Sequence, residues 1–236
     1  MLVKHKAIVL HSIPYGENSK VVKCFTDQLG LQSYLVNGVN NKKGVLKPSM
    51  VMPLTQLNLV AYHKGKGGLE RIKEAKLLSN YQLIPIDPLR NAMAVFISEV
   101  LSKVCVEEHE NIGLYHFLEH SLESLDNKNQ SLAYFHLTFL LELSSFLGFK
   151  PSTPLQPAVF FDMMEGTFEQ VKPLHAHFIH ENETILLIEL LQTKVAVSAT
   201  RETRLNLLDN LLDYYRIQWE GFGEVKSLEV LKVLFD

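Results

Sequence analysis

His116-Phe117-Leu118-Glu119-His120 matches H-x-x-E-H, a spacing that on a helix lets two imidazoles bind zinc while the glutamate acts as general base. Both histidines share a helical face, but it lies opposite the Leu114, Leu118, Leu122 stripe and continues to Glu123 and Asn127, so it reads as solvated. Five residues also supply no third ligand. His175, His177 and His180 form a denser group with no cysteine nearby, and read as a surface cluster. Gly65-Lys66-Gly67-Gly68 lacks the G-x-x-x-x-G-K-[ST] run into a helix that a phosphate-binding loop requires, and reads as a basic hairpin turn. These residues point to no catalytic group, no metal and no cofactor. A His/Glu metal-dependent hydrolase is the enzymatic alternative.

The lysines carry a different chemistry. Residues 1–79 hold 12 basic against four acidic side chains, a net +8, whereas the rest of the chain stands at −11. Such asymmetry suggests a polyanion-binding part joined to a part that does not bind polyanions. The candidate backbone contacts are Lys20 and Lys23, then Lys42, Lys43 and Lys47, then Lys64, Lys66, Arg71 and Lys73, with Lys76 beside them. Tyr15, Tyr34 and Tyr62 are the aromatic rings available for stacking on bases.

Short strands must position those cations. Ala7–Ile13 and Ser19–Phe25 are β-branched apolar runs around the turn residues Pro14-Tyr15-Gly16-Glu17-Asn18, which predicts a hairpin. Gly30 precedes Leu31–Val36, and further strands are expected at Thr55–Tyr62 and Leu69–Leu78, the last with Arg71, Lys73 and Ala75 on one face. Five strands in under 80 residues predict a small antiparallel OB-type barrel.

Asp87 before Pro88 is a helix start, and the apolar period then becomes helical. Stripes run through Leu89–Val104, Leu114–Leu125, Leu132–Phe146 (ended by Gly148) and Leu205–Trp219, with a short helix near Val225–Phe235. Pro151–Pro173 interrupts them as an irregular or small β insertion. The chain is therefore expected to be α+β, with a basic barrel over 1–80 and an acidic helical domain over 81–236 that carries the insertion at about 150–180. At 47% hydrophobic and 21% charged it can build a core. Its apolar runs, such as Leu137–Leu141 and Ile185–Ile188, fall far short of the about 20 residues of a membrane span. No secretory h-region opens the chain, and two cysteines, Cys24 and Cys105, make no disulfide framework. These features predict a cytoplasmic protein.

Lys6-Ala7-Ile8-Val9-Leu10, Tyr15-Gly16-Glu17-Asn18-Ser19, Phe25-Thr26, Gly30, Gly38 and Leu46-Lys47-Pro48, with Gly221-Phe222-Gly223-Glu224-Val225-Lys226-Ser227-Leu228 near the other end, together resemble the RecO family of bacterial recombination mediators. The order of barrel, helices, insertion and final helix extends the resemblance over essentially the whole chain. It implies a non-enzymatic DNA-repair protein that binds single- and double-stranded DNA, anneals complementary strands and, with RecR, helps RecA load on DNA coated by single-strand-binding protein. In some members the acidic tail of single-strand-binding protein docks on the helical domain. Arg201 and Arg204 share a helical face that suits such a tail, and equally suits surface ion pairing.

Many members carry a four-cysteine zinc site in the insertion. Pro151–His180 has no cysteine, so no structural zinc is expected, with Phe160, Phe161, Met163 and Phe168 packing in its place. An OB-barrel protein of RNA metabolism would show the same basic half and is the second alternative.

Overall fold

The computed structural model describes every residue except 40, 42–43, 66–67, 107–108, 155–156, 194–197 and 236. Five strands come first: β1 (Leu2–Tyr15), β2 (Ser19–Thr26), β3 (Gly30–Asn37), β4 (Gln56–Tyr62) and β5 (Leu69–Leu77). They close a barrel in the order β1-β2-β3-β5-β4. The expected barrel is there, with one correction: its strands are not all antiparallel, because β3 and β5 pair in parallel through Ser33–Leu69, Tyr34–Glu70 and Leu35–Arg71. β1 is longer than its apolar run, since Leu2–Lys6 continue it along β4.

Alternation fills the interior. Ala7, Val9, Val22, Cys24, Tyr34, Val36, Leu57, Leu59 and Ala61 pack together, with Leu46 from the β3–β4 connection among them. Each fully buried leucine there contributes about 1.5–3 kcal/mol. Tyr34 is therefore no stacking platform; its hydroxyl lies 2.8 Å from His5 Nε2 inside the barrel. β5 departs from strict alternation. Val60 faces Glu74 and Ala61 faces Ile72, so a bulge at Lys73 resets the phase and turns Ala75 inward beside Ile72. Ala75 thus does not share a face with Arg71.

Six helices follow among the described residues: α1 (Pro88–Val104), α2 (Ile112–Leu125), α3 (Phe135–Leu147), α4 (Glu181–Thr193), α5 (Arg201–Gln218) and α6 (Leu228–Leu234). Asp87 caps α1 by accepting the Arg90 N–H at 3.0 Å, and Gly148 ends α3 at φ 86°. α4 was not among the expected helices, although Leu186, Leu187 and Leu190 give it a buried face. Among the described residues no helix is long and apolar enough to cross a membrane.

Packing divides the chain into one compact unit of Met1–Lys128 with Val225–Leu231, and a second of Asn129–Glu224 with Lys232–Asp236. In the first unit α1 and α2 pack with the barrel. Ser98 donates to the Leu10 carbonyl, Ser102 Oγ lies 3.0 Å from His11 Nδ1, and Phe25 stacks on Tyr115 at 6.5 Å. Asp126 accepts the N–H groups of Gln82, Leu83 and Ile84 at 2.8–2.9 Å, which fastens the segment entering α1 to the end of α2.

In the second unit the insertion is a small sheet, ordered β7 (Thr167–Glu169), β6 (Phe160–Asp162), β8 (Phe178–Ile179). Phe161 is fully buried, 4.9 Å from the Phe168 ring and 5.3 Å from that of Tyr214, and Met163 is buried as well. Asp162 accepts the Met164 and Glu165 N–H groups and meets His175 Nε2 at 3.0 Å. Gly166 sits at φ 70°, where an added Cβ would lie 2.9 Å from the Tyr214 hydroxyl, so backbone and space both require glycine.

Candidate nucleic-acid interface

On the outer face of the barrel β1, β4 and β5 line up in register. Leu2 faces Tyr62, which faces Arg71; Lys4 faces Val60, which faces Glu74; Lys6 faces Asn58, which faces Lys76. Tyr62, Lys64 and Arg71 are exposed, and with Met1 and Leu69 they line a cleft of about 350 Å³. A half-exposed aromatic ring between two cations offers a stacking surface and two phosphate contacts in one place. Lys73 projects from the bulge, 3.7 Å from Glu74, and Lys76 is exposed further along β5. Lys4, also exposed on this face, was missed at the sequence level, although it alternates with the buried His5.

The other candidates are scattered. Lys20 lies opposite Pro14 and Val36, at the end of β1 remote from the Tyr62 cleft, near the half-exposed Tyr15. Lys23 lies on the opposite face of β2 from Lys20, paired with Ser33 and with His11, where α1 packs. Burial, with Lys23 adding to it, pushes the His11 imidazole below its usual pKa. Lys47 is exposed and precedes a single 3-10 turn, Pro48–Val51, that places Leu46 and Met50 in the core. Lys42, Lys43 and Lys66 fall outside the described residues.

Arg201 and Arg204 open α5, and each holds its own chain. Arg201 donates from Nε to the Phe235 carbonyl and from Nη2 to the Lys232 carbonyl, both at 3.2 Å. Arg204 donates to the Ala199 carbonyl at 2.8 Å and lies over the Tyr134 ring.

The histidine motifs form ordinary contacts. Glu119 accepts from Lys6 Nζ at 3.0 Å and lies 3.4 Å from His116, while His120 Nδ1 meets the His116 carbonyl. Burial alone would raise the Glu119 carboxyl; Lys6 and His116 together outweigh it and hold the group below its ordinary value. His175 uses Nε2 on Asp162 and accepts the His177 N–H on Nδ1, and His180 packs on Phe178. Among the described residues no three His, Cys, Asp or Glu side chains are grouped to hold a metal ion. β4 is followed by β5, a strand and not a helix, so the described residues around Gly65 and Gly68 offer no helix N-terminus to hold phosphate.

Comparison with known proteins matches this sequence over its full length. The family model "Recombination protein O N terminal" fits residues 1–81, and "Recombination protein O C terminal" fits residues 86–229. Over full length of both chains, the sequence is 42% identical to DNA repair protein RecO of Flavobacterium psychrophilum, 37% to that of Christiangramia forsetii and 38% to that of Bacteroides fragilis. Both domain models and the full-length relatives place the chain in the RecO family of DNA repair proteins.

Proposed function

We propose that this chain is a non-enzymatic recombination mediator acting in the cytoplasm. Its basic barrel binds single- and double-stranded DNA and anneals complementary strands; with RecR it assists loading of RecA on DNA coated by single-strand-binding protein. The observation that supports this best is the cleft that sets Lys64 and Arg71 beside Tyr62 on the outside of a barrel carrying +8 over residues 1–79, with Lys4, Lys73 and Lys76 exposed further along β1 and β5. Annealing needs no nucleophile. Cations that neutralise phosphates on two strands lower their repulsion and release counterions, and base pairing supplies the remaining free energy.

The helical sequence beyond residue 80, at −11, suits protein partners better than DNA. Arg201 and Arg204 are the proposed contacts for the acidic tail of single-strand-binding protein. Backbone contacts are assigned to Lys20, Lys23, Lys42, Lys43, Lys47, Lys64, Lys66, Arg71 and Lys73, with those around Tyr62 weighted most.

The test is loading of RecA on a gapped DNA coated by single-strand-binding protein, with and without this chain and RecR. Faster loading without nucleotide hydrolysis by this chain supports the proposal. No DNA binding at low salt, or preference for matched RNA over DNA, overturns it.

A further inference from the structure

We infer that the Tyr62 cleft is a subsite for one unpaired nucleotide, its base on the Tyr62 ring and its phosphate between Lys64 and Arg71, and that the buried carboxylate of Glu70 sets its shape. The inference rests on the DNA-binding reading of the barrel and refines it to a single-strand contact. The cleft's volume of about 350 Å³ falls within the range of small-ligand pockets, about 300–1,000 Å³. Its lining joins the aromatic and apolar side chains of Tyr62 and Leu69 to the cations Lys64 and Arg71. A base inside a duplex presents no free face to such a ring, so the site selects an unstacked base.

Glu70 is the unexpected part. Strand alternation sends Leu69 and Arg71 outward to the cleft and Glu70 inward, where it is 4% exposed and in register with Tyr34. Its Oε1 accepts the Lys64 N–H at 2.8 Å and lies 3.8 Å from His63 Nδ1, while Oε2 has no partner among the described residues. Next door, the His63 N–H donates to the Met1 carbonyl at 2.8 Å, and the N-terminal ammonium donates to the His63 carbonyl at 3.0 Å. The main chain is thus pinned at His63 and Lys64, where the β4–β5 connection leaves the barrel. The Lys64 side chain departs from that fixed root, on the same cleft as Arg71. Desolvating a carboxylate is costly, and here the acceptor holds a cation-bearing backbone in place. Glu70 is a positioning residue, since it touches Lys64 and not the nucleotide.

The two effects Glu70 could have on DNA differ in sign. Removing an acid from a basic surface strengthens binding if only net charge matters. If Glu70 positions Lys64, Glu70→Ala weakens binding, whereas Glu70→Gln keeps an acceptor for the Lys64 N–H and does not. The full-length chain is titrated by fluorescence anisotropy against labelled oligo-dT and against a blunt duplex of the same length. Tyr62→Ala is expected to weaken oligo-dT binding about tenfold and leave duplex binding nearly unchanged. Glu70→Ala is expected to weaken oligo-dT binding several-fold, and that loss should vanish when Lys64→Ala is already present. Equal loss on both DNAs with Tyr62→Ala, or tighter binding with Glu70→Ala, overturns the inference while leaving the DNA-binding reading intact. Wild-type protein that binds neither DNA overturns both. Should Glu70→Ala fail to fold, the Tyr62→Ala ratio decides the nucleotide subsite, and Glu70→Gln decides the positioning role: unchanged oligo-dT binding supports it, and tighter binding, which loss of the charge alone would give, overturns it.

Discussion

Tyr62 on β4 and Arg71 on β5 stand directly opposite each other in the barrel ladder, with both side chains on the outer face. Leu2 extends the row on β1 and Leu35 on β3, so one line of residues crosses four strands. A cation fixed beside an aromatic ring by strand register needs little reordering to meet a stacked base and its phosphate, which lowers the entropic cost of binding.

Each phosphate contact should be visible in salt dependence. Lys64→Ala and Arg71→Ala are each expected to flatten the slope of log K against log salt by about 0.7 for single strands. Both should weaken binding regardless of DNA sequence. Lys23→Ala, beside His11 where α1 packs, should change the slope less; an equal change would relocate the interface.

Acid should weaken the insertion through Asp162. Burial alone would raise its carboxyl, but the Glu165 and Met164 N–H groups and His175 outweigh burial and hold it below the ordinary value. A carboxyl depressed in the folded state stabilises above its unfolded value of about 3.9, and that stability is lost as pH falls through the folded value. Asp162→Ala should therefore cost about 1–3 kcal/mol at neutral pH. The gap between variant and wild type should narrow in denaturant titrations below about pH 4.

Gly166→Ala should destabilise by about 1–3 kcal/mol, because the left-handed backbone and the Tyr214 hydroxyl both resist a methyl group. That hydroxyl also donates to the Phe149 carbonyl at 2.6 Å, so relief by moving it breaks a second contact. Urea unfolding measures the loss. An unchanged midpoint would mean that the turn relaxes freely.

Arg201 holds the C-terminal turn through the Lys232 and Phe235 carbonyls. Arg201→Ala should speed amide exchange in residues 232–235 while leaving the interior of α5 protected. Arg201→Glu with Arg204→Glu should abolish pull-down by an acidic tail peptide; capture that survives would place the peptide elsewhere.

Much of the framework was legible because local chemistry decided it. The turn at Pro14–Asn18, the Asp87–Pro88 start and Gly148 each act within a few residues, and the change of apolar period separates strands from helices. Features set by closure of the barrel were not legible. The parallel β3–β5 pair joins strands distant in sequence, and the bulge at Lys73 turns Ala75 inward with no turn residue to announce it. The continuous run Ile185–Ile188 has no period to separate helix from strand, so α4 went unseen. At the candidate site, lysine count pointed to the barrel half of the chain, and only register separated Arg71, beside Tyr62, from Lys23, beside His11 where α1 packs. Tyr34 and Glu70 were hidden because each looks like a surface residue until alternation with Val36 and Ile72 puts it inside.

The most direct test of the barrel as an annealing surface is the rate at which complementary oligonucleotides pair, one of them coated with single-strand-binding protein, without nucleotide. Wild-type chain should accelerate pairing steeply at low salt and little at high salt, and the Lys64→Ala, Arg71→Ala double variant should lose most of the low-salt acceleration. Acceleration that ignores salt, or that survives intact in the double variant, would contradict the account.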